Sequence, residues 1–462
     1  MSDASLGSLL DGDPDDVVAY VNDAVTTRAQ MRVSVEHLAS QLRDAGLAGH
    51  VIGVLAANRP DVIAAWFAVW SVGGAFVPLN PRVPPAERDV LVASTGVAAV
   101  IDPPQVRPVS GATPPNSDAA VAIVQFTSGT TGRPKAVPLR HDTVLALLDG
   151  VIGSLRGDGP PANRTPMPNL VPVSLALWAG IYQVLFAFRL GAPVVLMERF
   201  DPVEFARLVD VFGIRSSVLP PAAMVMLARE PRVTTLKPLR YVRSVSAPLS
   251  PTHARLFHER FGVAILNGYG QTELGGEVVG WTAADWREFG TAKLGAVGRP
   301  HAGIDVRVRD NELQVRSRTA APFDRAVLGE RVTDDGWLRT GDLASIDDDG
   351  FVWIEGRVSA MVNRGGLKVF PDEVEEHLRA HPSVVDAAVA GVPDDRLGEV
   401  PWAFVVCEPG VVIDADTLRG WCRDRMAPYK VPAGVTFVEK LPRNEIGKLL
   451  RQDLVPLVDR DT

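Results

Sequence analysis

Short apolar blocks, parted by glycines and turn-forming residues, run along most of the chain, and their spacing switches between helical and extended periods. Residues 17–20 and 24–27 flank Asn22-Asp23 and predict a hairpin. Ser34 is the expected cap of a helix carrying Val35, Leu38 and Leu42 on one face, with Gly46 as its stop. A buried strand is predicted at 51–56, a helix at 61–72 and, past Gly73-Gly74, a second strand at 75–78. Strand, helix and strand in that order imply a parallel layer covered by helices. The order recurs as helix 177–190, strand 193–197, helix 202–212 behind Asp201, and strand 214–219. Two α/β subdomains of similar build are therefore expected, with further buried strands at 239–245 and 263–267.

Past Gln271 the blocks shorten and alternate, at 305–308, 313–315, 343–346 and 351–355, with Asp310-Asn311 and 347–350 as turns. That texture predicts a small β subdomain. Amphipathic segments follow: a helix from Pro371-Asp372 carrying Val374 and Leu378, strands at 384–392 and 402–407, and a helix at 417–426. They make a compact α+β module of ordinary domain size. The expected division is a large α/β domain over 1–359 and a small α+β domain over 360–462.

Length and charge narrow the classes. A chain of 462 residues is too long for one ordinary core. A net charge of −8 excludes the concentrated basic face of a nucleic-acid binder. Cys407 and Cys422 are the only cysteines, so no disulfide framework is implied. The acidic, polar start lacks the pattern of a secretory signal, and no apolar stretch is long enough to span a bilayer. A soluble, cytoplasmic protein is expected.

Candidate chemistry begins where the apolar run 122–126 feeds into Thr127-Ser128-Gly129-Thr130-Thr131-Gly132-Arg133-Pro134-Lys135. Glycines allow positive φ and close approach, and successive N–H groups in such a turn cradle an anion. Four hydroxyls add donors and Lys135 adds the charge a phosphate needs. Gly-Lys-Ser/Thr is missing, so this is not a Walker A loop. Asn267-Gly268-Tyr269-Gly270-Gln271-Thr272-Glu273 follows another apolar strand, the place where ligands bind in open α/β sheets. There Tyr269 can stack on a base and Glu273 can hold Mg²⁺ through oxygen. Asp342, at the expected mouth of a strand, offers two acceptors suited to a ribose diol, and Arg357 offers a fork of donors beside the domain boundary. Lys448 sits in the polar loop 441–448, where a cation can offset charge that develops on phosphate. Taken singly, each of these is more simply a turn or a surface charge.

Together, in this order and spacing, the five segments resemble the adenylate-forming superfamily, and within it the acyl-CoA synthetase branch. The resemblance covers essentially the whole chain. It implies a large N-terminal AMP-binding domain and a small, mobile C-terminal one, with ATP, Mg²⁺ and coenzyme A as the co-substrates and cofactor. It also assigns roles. Thr127, Ser128, Gly129, Thr130, Thr131, Gly132 and Lys135 would be the phosphate loop. Ser246, Ala247 and Pro248 would line the adenine side, with Asn267, Gly268, Gly270 and Gln271 around them. Tyr269 would stack on adenine, Thr272 would contact the phosphate, and Glu273 with Thr127 would hold the metal. Asp342 and Arg357 would bind ribose, Lys448 would be the adenylation lysine, and Gly365-Gly366 would border the CoA tunnel.

Four departures from the family pattern stand out. Ala360 occupies the hinge position, where Asp or Lys is usual. Pro172-Val173-Ser174-Leu175 lacks the aromatic and histidine found in many relatives. Val245 replaces a common glycine beside the acyl group, and the N-terminal region is short. The nameable substrate-side residues (Val173, Leu175, Leu177, Trp178 and Val245, with Ser174 and Gly270 beside them) are mostly apolar, and no Asp stands in 171–178 to take an α-amino group. A hydrophobic monocarboxylic acid is the expected substrate. Three readings stay open: an acyl-CoA ligase first, then an adenylating enzyme that loads a carrier protein or another nucleophile, then a non-catalytic nucleotide- or acyl-binding regulator.

Overall fold

The computed structural model describes residues 5–109, 118–127, 135–156, 166–245, 247–271, 274, 276–317, 328–443 and 449–458. The chain forms two compact units, one of Met1–Leu219, Arg229–Val242 and Gln271–Gly276, the other of Pro220–Ala228, Arg243–Gly270 and Glu277–Thr462.

In the first unit a six-stranded sheet runs in the order 105–108, 99–102, 51–55, 75–79, 121–127, 135–140. Its central strands pair in parallel, as in Val51↔Ala75 and Phe76↔Ile123. Pro60–Ser71 is the connecting helix, and it is apolar on all sides because both its faces are covered. Trp66, fully buried, stacks on Phe76 of the sheet at 5.2 Å between ring centroids. A second, four-stranded sheet joins the hairpin Val17–Val21/Ala24–Thr27 to Val194–Leu196 and Asn169–Val171. Asn22 and Asp23 take φ of 45° and 65°, the left-handed pair that a two-residue turn between twisted strands requires.

The first long helix spans Arg28–Asp44 and starts earlier than the sequence suggests. Thr27 caps it in a reciprocal box with Gln30, while Ser34 lies inside and donates its hydroxyl to the Gln30 carbonyl at 3.3 Å. Capping at Thr27 satisfies two orphan N–H donors at once, which Ser34 could not do. Leu38 and Leu42 are buried as expected, and Gly46 closes the turn with φ of 69°. Asn58 ties the segment after Val171 to the sheet: its amide donates to Val173 O at 2.9 Å and Met197 O at 2.8 Å and accepts from Leu175 N at 2.8 Å.

In the second unit the strands Ala264–Gln271 and Gly276–Gly280 continue through Ala296–Pro300 to Val352–Arg357, Leu338–Ile346, Glu312–Ser317 and Ile304–Arg309. The short alternating blocks of the sequence are these last antiparallel strands. Beyond them lies the α+β module with a sheet of its own, in the order 367–369, 362–364, 398–407, 384–394, with 434–437 also on 398–407. Helices Pro371–Arg379 and Ala415–Arg423 pack on it around Val374, Leu378, Leu418 and Cys422.

An ion network threads this module. Glu375, 4% exposed at the side chain, meets Arg379 at 3.0 Å, Arg451, and the Val389 amide at 2.9 Å. Arg379 reaches on to Asp386 at 3.1 Å, Arg443 bonds the other Asp386 oxygen at 2.6 Å, and Arg451 also pairs with Asp372. Burial opposes the Glu375 charge, but the Arg451 and Arg379 guanidiniums outweigh it and hold its carboxyl below the ordinary range. The same balance, against Arg379 and Arg443, lowers Asp386. Removing one member of such a network is costlier than the whole network is stabilising.

Candidate active site

Asp342 is the centre of the ordered site. The sequence suggests a carboxylate at a strand mouth; instead it sits within the Leu338–Ile346 strand and is 3% exposed. Gly341 before it has φ of 76° and breaks the regular pleat, and the register against Glu312–Ser317 shifts between Glu312 and Gln314. A bulge of this kind re-aims a side chain. Glu312 holds the bend by accepting from Gly341 N at 2.9 Å, and Thr340 Oγ1 accepts from Asp342 N at 3.1 Å.

Three of the residues singled out in the sequence meet here. The Tyr269 hydroxyl donates to Asp342 Oδ2 at 2.6 Å, and Arg357 Nε donates to Oδ1 at 2.8 Å from the paired position on the next strand. Burial, then the negative charge of Asp342, pushes the Tyr269 phenol far above its ordinary pKa, so it stays a donor. The arrangement fixes an aromatic ring, two acceptor oxygens and a guanidinium relative to one another, as recognition of a nucleoside requires.

The other expected residues fall as follows. Asn267 is buried and donates to Ala296 O at 3.3 Å, which secures the strand that carries Tyr269. Ala247 is half-buried, Pro248 and Gly270 are exposed, and Gln271 and Val245 are half-buried. Val173 is buried, Ser174 Oγ accepts from Ala176 N at 3.2 Å, and Trp178 opens the Trp178–Arg189 helix in edge contact with Tyr182. Gly365 and Gly366 form the tight turn between Val362–Arg364 and Leu367–Val369, with φ of 58° and 90°. Ala360 ends a single turn, Val358–Ala360, directly after Arg357. Thr127 and Lys135 are the ends of the paired strands Val121–Thr127 and Lys135–Arg140. Ser128, Gly129, Thr130, Thr131, Gly132, Ser246, Thr272, Glu273 and Lys448 lie outside the described residues, as do the side chains of Thr127 and Lys135.

Two groups went unread in the sequence. Glu376, on the Pro371–Arg379 helix, accepts from Ser250 Oγ at 2.7 Å, Thr252 N at 2.9 Å and Thr252 Oγ1 at 2.7 Å, at the start of the Pro251–Phe261 helix. A carboxylate at a helix N-terminus is favoured by the backbone dipole. The second group is an ion cluster of Arg243, Glu277 and His301 beside Gly268. Its one sequence signal is an ionisable residue, Glu277, at the head of the apolar run Val278-Val279.

Among the described residues no three His, Cys, Asp or Glu side chains gather as a metal cage, and no helix is long and apolar enough to cross a membrane. Mg²⁺ held by one carboxylate and by phosphate oxygens needs no such cage.

The mixed α/β scaffold with its small α+β module is that of the adenylate-forming enzymes. The chain belongs to the AMP-binding enzyme family: the family model matches residues 10–115 and 102–321, and that of the AMP-binding enzyme C-terminal domain matches 373–448. It is 32% identical to a 4-coumarate–CoA ligase-like protein of Oryza sativa subsp. japonica, over 88% of this chain and 80% of that one. It is 30% identical to a feruloyl-CoA synthase of Amycolatopsis, over 93% of each. In fold it matches the o-succinylbenzoate coenzyme A synthetase of Bacillus subtilis, solved with ATP and magnesium ion, at a TM-score of 0.81 and 24% identity, over 97% of this chain and 98% of that one. The protein is an acid–thiol ligase of the adenylate-forming CoA ligases, working with ATP, Mg²⁺ and coenzyme A.

Proposed function

We propose that this ligase activates a hydrophobic monocarboxylic acid in the cytoplasm and transfers it to coenzyme A. The observation that carries the nucleotide half is the Tyr269–Asp342–Arg357 constellation. In this reading the Tyr269 ring, fixed by its hydroxyl, stacks on adenine, and the Asp342 carboxylate accepts the ribose hydroxyls. The 127–135 loop takes the phosphates. A carboxylate oxygen of the acid attacks the α-phosphorus, the bond to the bridging oxygen breaks, and pyrophosphate leaves with the electron pair. Glu273 and Thr127 are the residues that would hold Mg²⁺, which supplies charge neutralisation on the phosphates. Lys448 offsets charge on the pentacoordinate phosphorus of the transition state. The CoA sulfur then attacks the acyl carbon, the carbon–oxygen bond to AMP breaks, and AMP departs while the thiol proton passes to solvent.

The half-buried Val245 and buried Val173, together with Trp178, support an apolar acid. A library of carboxylic acids, each offered with CoA, free pantetheine or a pantetheine-bearing carrier protein and scored for AMP release, tests the reading. Turnover of apolar acids with CoA is the expected result. Turnover with the carrier protein alone would reassign the acceptor.

Domains 1–359 and 360–462 are, in this reading, a fixed body and a part that turns about Ala360. Alanine rotates freely but makes no charged contact that favours one orientation. Ala360→Asp is therefore expected to change the ratio of the two half-reaction rates several-fold, with Tm within about 2 °C of wild type, since hinge changes act on kcat and KM far from the chemistry. Stopped-flow rates for acyl-AMP formation and thioester formation, measured separately, check it. Unaltered rates in both would place the hinge elsewhere.

A further inference from the structure

The acid-binding region is not uniformly apolar. The strand carrying Gly268 runs between Tyr241–Ser244 and Gly276–Gly280. Arg243 on one neighbour and Glu277 on the other reach across it and pair, over the point where Gly268 has no side chain. A Cβ at Gly268 or at Gly280 would overlap the Glu277 carboxylate, so the carboxylate lies flat in a slot with glycine walls. His301 Nε2 bonds the same oxygen as Arg243, Oε1, at 2.9 Å. Arg243 also donates to Trp281 O at 3.3 Å. Among the described residues no hydrogen bond falls on Glu277 Oε2. The side chains of Arg243, Glu277 and His301 are 30%, 19% and 37% exposed, so the cluster is walled in yet open on one side.

Alternation along the strand Ala264–Gln271 puts Gly270 on the face of Gly268, and Val245 follows directly on the strand that carries Arg243. These are the residues that the proposed function sets around the acyl group, and the inference rests on that reading. The Arg243 guanidinium and the Glu277 carboxylate cancel one another in charge. The cluster offers a substrate neither a counter-ion nor an apolar wall. It offers one carboxylate oxygen, held in place, that can only accept. A second carboxylate on the substrate would meet Glu277 with repulsion, and so would the reacting carboxylate, which is thereby turned away. We propose that Arg243, Glu277 and His301 form a specificity site for an uncharged hydrogen-bond donor, a hydroxyl or an aryl N–H, on the body of the hydrophobic acid. Arg243 and His301 position the carboxylate and Glu277 touches the substrate.

Matched acids test this. The 4-hydroxy, 4-methoxy and unsubstituted 3-phenylpropenoic acids, and an indole acid with its N-methyl analogue, are compared for kcat/KM by AMP release. Each is also titrated calorimetrically with ATP absent. Wild type is expected to favour the hydroxy and N–H members by about tenfold or more, the effect of a hydrogen bond to a charged group. Glu277→Gln keeps its single carbonyl oxygen on Arg243 and His301 and turns an NH₂ to the substrate. Its order is expected to reverse, with the methoxy acid ahead of the hydroxy acid. A purely structural cluster would slow every acid alike and lower Tm without reordering them, and that outcome overturns the proposal. If Glu277→Gln does not fold, the wild-type pairs decide, and equal kcat/KM and equal affinity within each pair overturn it. Absence of AMP release with every acid and thiol would instead defeat the ligase reading, and the titrations would still decide the donor site.

Discussion

Asp342→Ala is expected to lower kcat/KM for ATP by about 10²-fold, mostly through KM, while the Tm falls by only a few degrees. Two charge-assisted hydrogen bonds to a ribose, each contributing about 1.5–3 kcal/mol, set that scale. The same change strips Tyr269 and Arg357 of their shared acceptor, so the ring that would face adenine loses its anchor. Arg357 is 45% exposed at the side chain and turns to water, which keeps the structural penalty small. Loss of binding felt equally in ground and transition states raises KM with kcat unchanged. Pyrophosphate release at saturating acid measures both constants. ATP and its 2′-deoxy and 3′-deoxy analogues, compared in parallel, separate ribose recognition from general damage: wild type discriminates among them and the variant does not. A variant with wild-type KM for ATP would remove Asp342 from the nucleotide site.

Lys448→Ala is expected to cost about 10²–10³-fold in acyl-AMP formation and to leave thioester formation from supplied acyl-AMP close to wild type. The figure is that of a single positioned donor aimed at charge that develops only in the transition state. Charge builds on the α-phosphate during adenylation, whereas in the second step AMP is already formed as the leaving group. The two half-reactions are read separately, by pyrophosphate release and by thioester formation from synthetic acyl-adenylate. Equal losses in both would assign Lys448 to binding or to the fold.

Local signals in the sequence carried the elements well where one short-range rule decides the outcome. Asn22-Asp23 makes its hairpin because both residues tolerate the left-handed region. Pro371-Asp372 opens its helix because proline at the first position sacrifices no bond. Errors arose where two local rules competed or where the deciding partner is remote. Ser34 is an acceptable cap, but Thr27 with Gln30 is a better one. Only the stretch 343–346 read as a strand because Gly341 looks like its boundary, whereas a bulge held by Glu312 lets Leu338–Ile346 run through it. At the site, Tyr269, Asp342 and Arg357 stood out by type and by resemblance, yet their mutual bonds span separations that no spacing rule reaches. Arg243, Glu277 and His301 are not brought together by the sequence for the same reason, Glu277 ahead of Val278-Val279 being their one signal. Their pairing depends on a strand between them that has no side chain at one point, and the apolar neighbours in the sequence suggested an oily wall.

The ion network of the C-terminal module bears on how the lysine arrives. Pro442 and Leu450 share a backbone bond of 2.9 Å, and Arg443 and Leu449 form a bridge, so these two short segments stand side by side. Arg443 is tied to Asp386, Arg451 to Glu375 and Asp372, and these carboxylates sit on the helix and strand at the heart of the module. Arg443 and Leu449 are thus tied to the core of the module, and in the proposed reading Lys448 acts through a displacement of that module as one piece. A fluorophore on its exposed surface, for instance at Val412, would report that displacement.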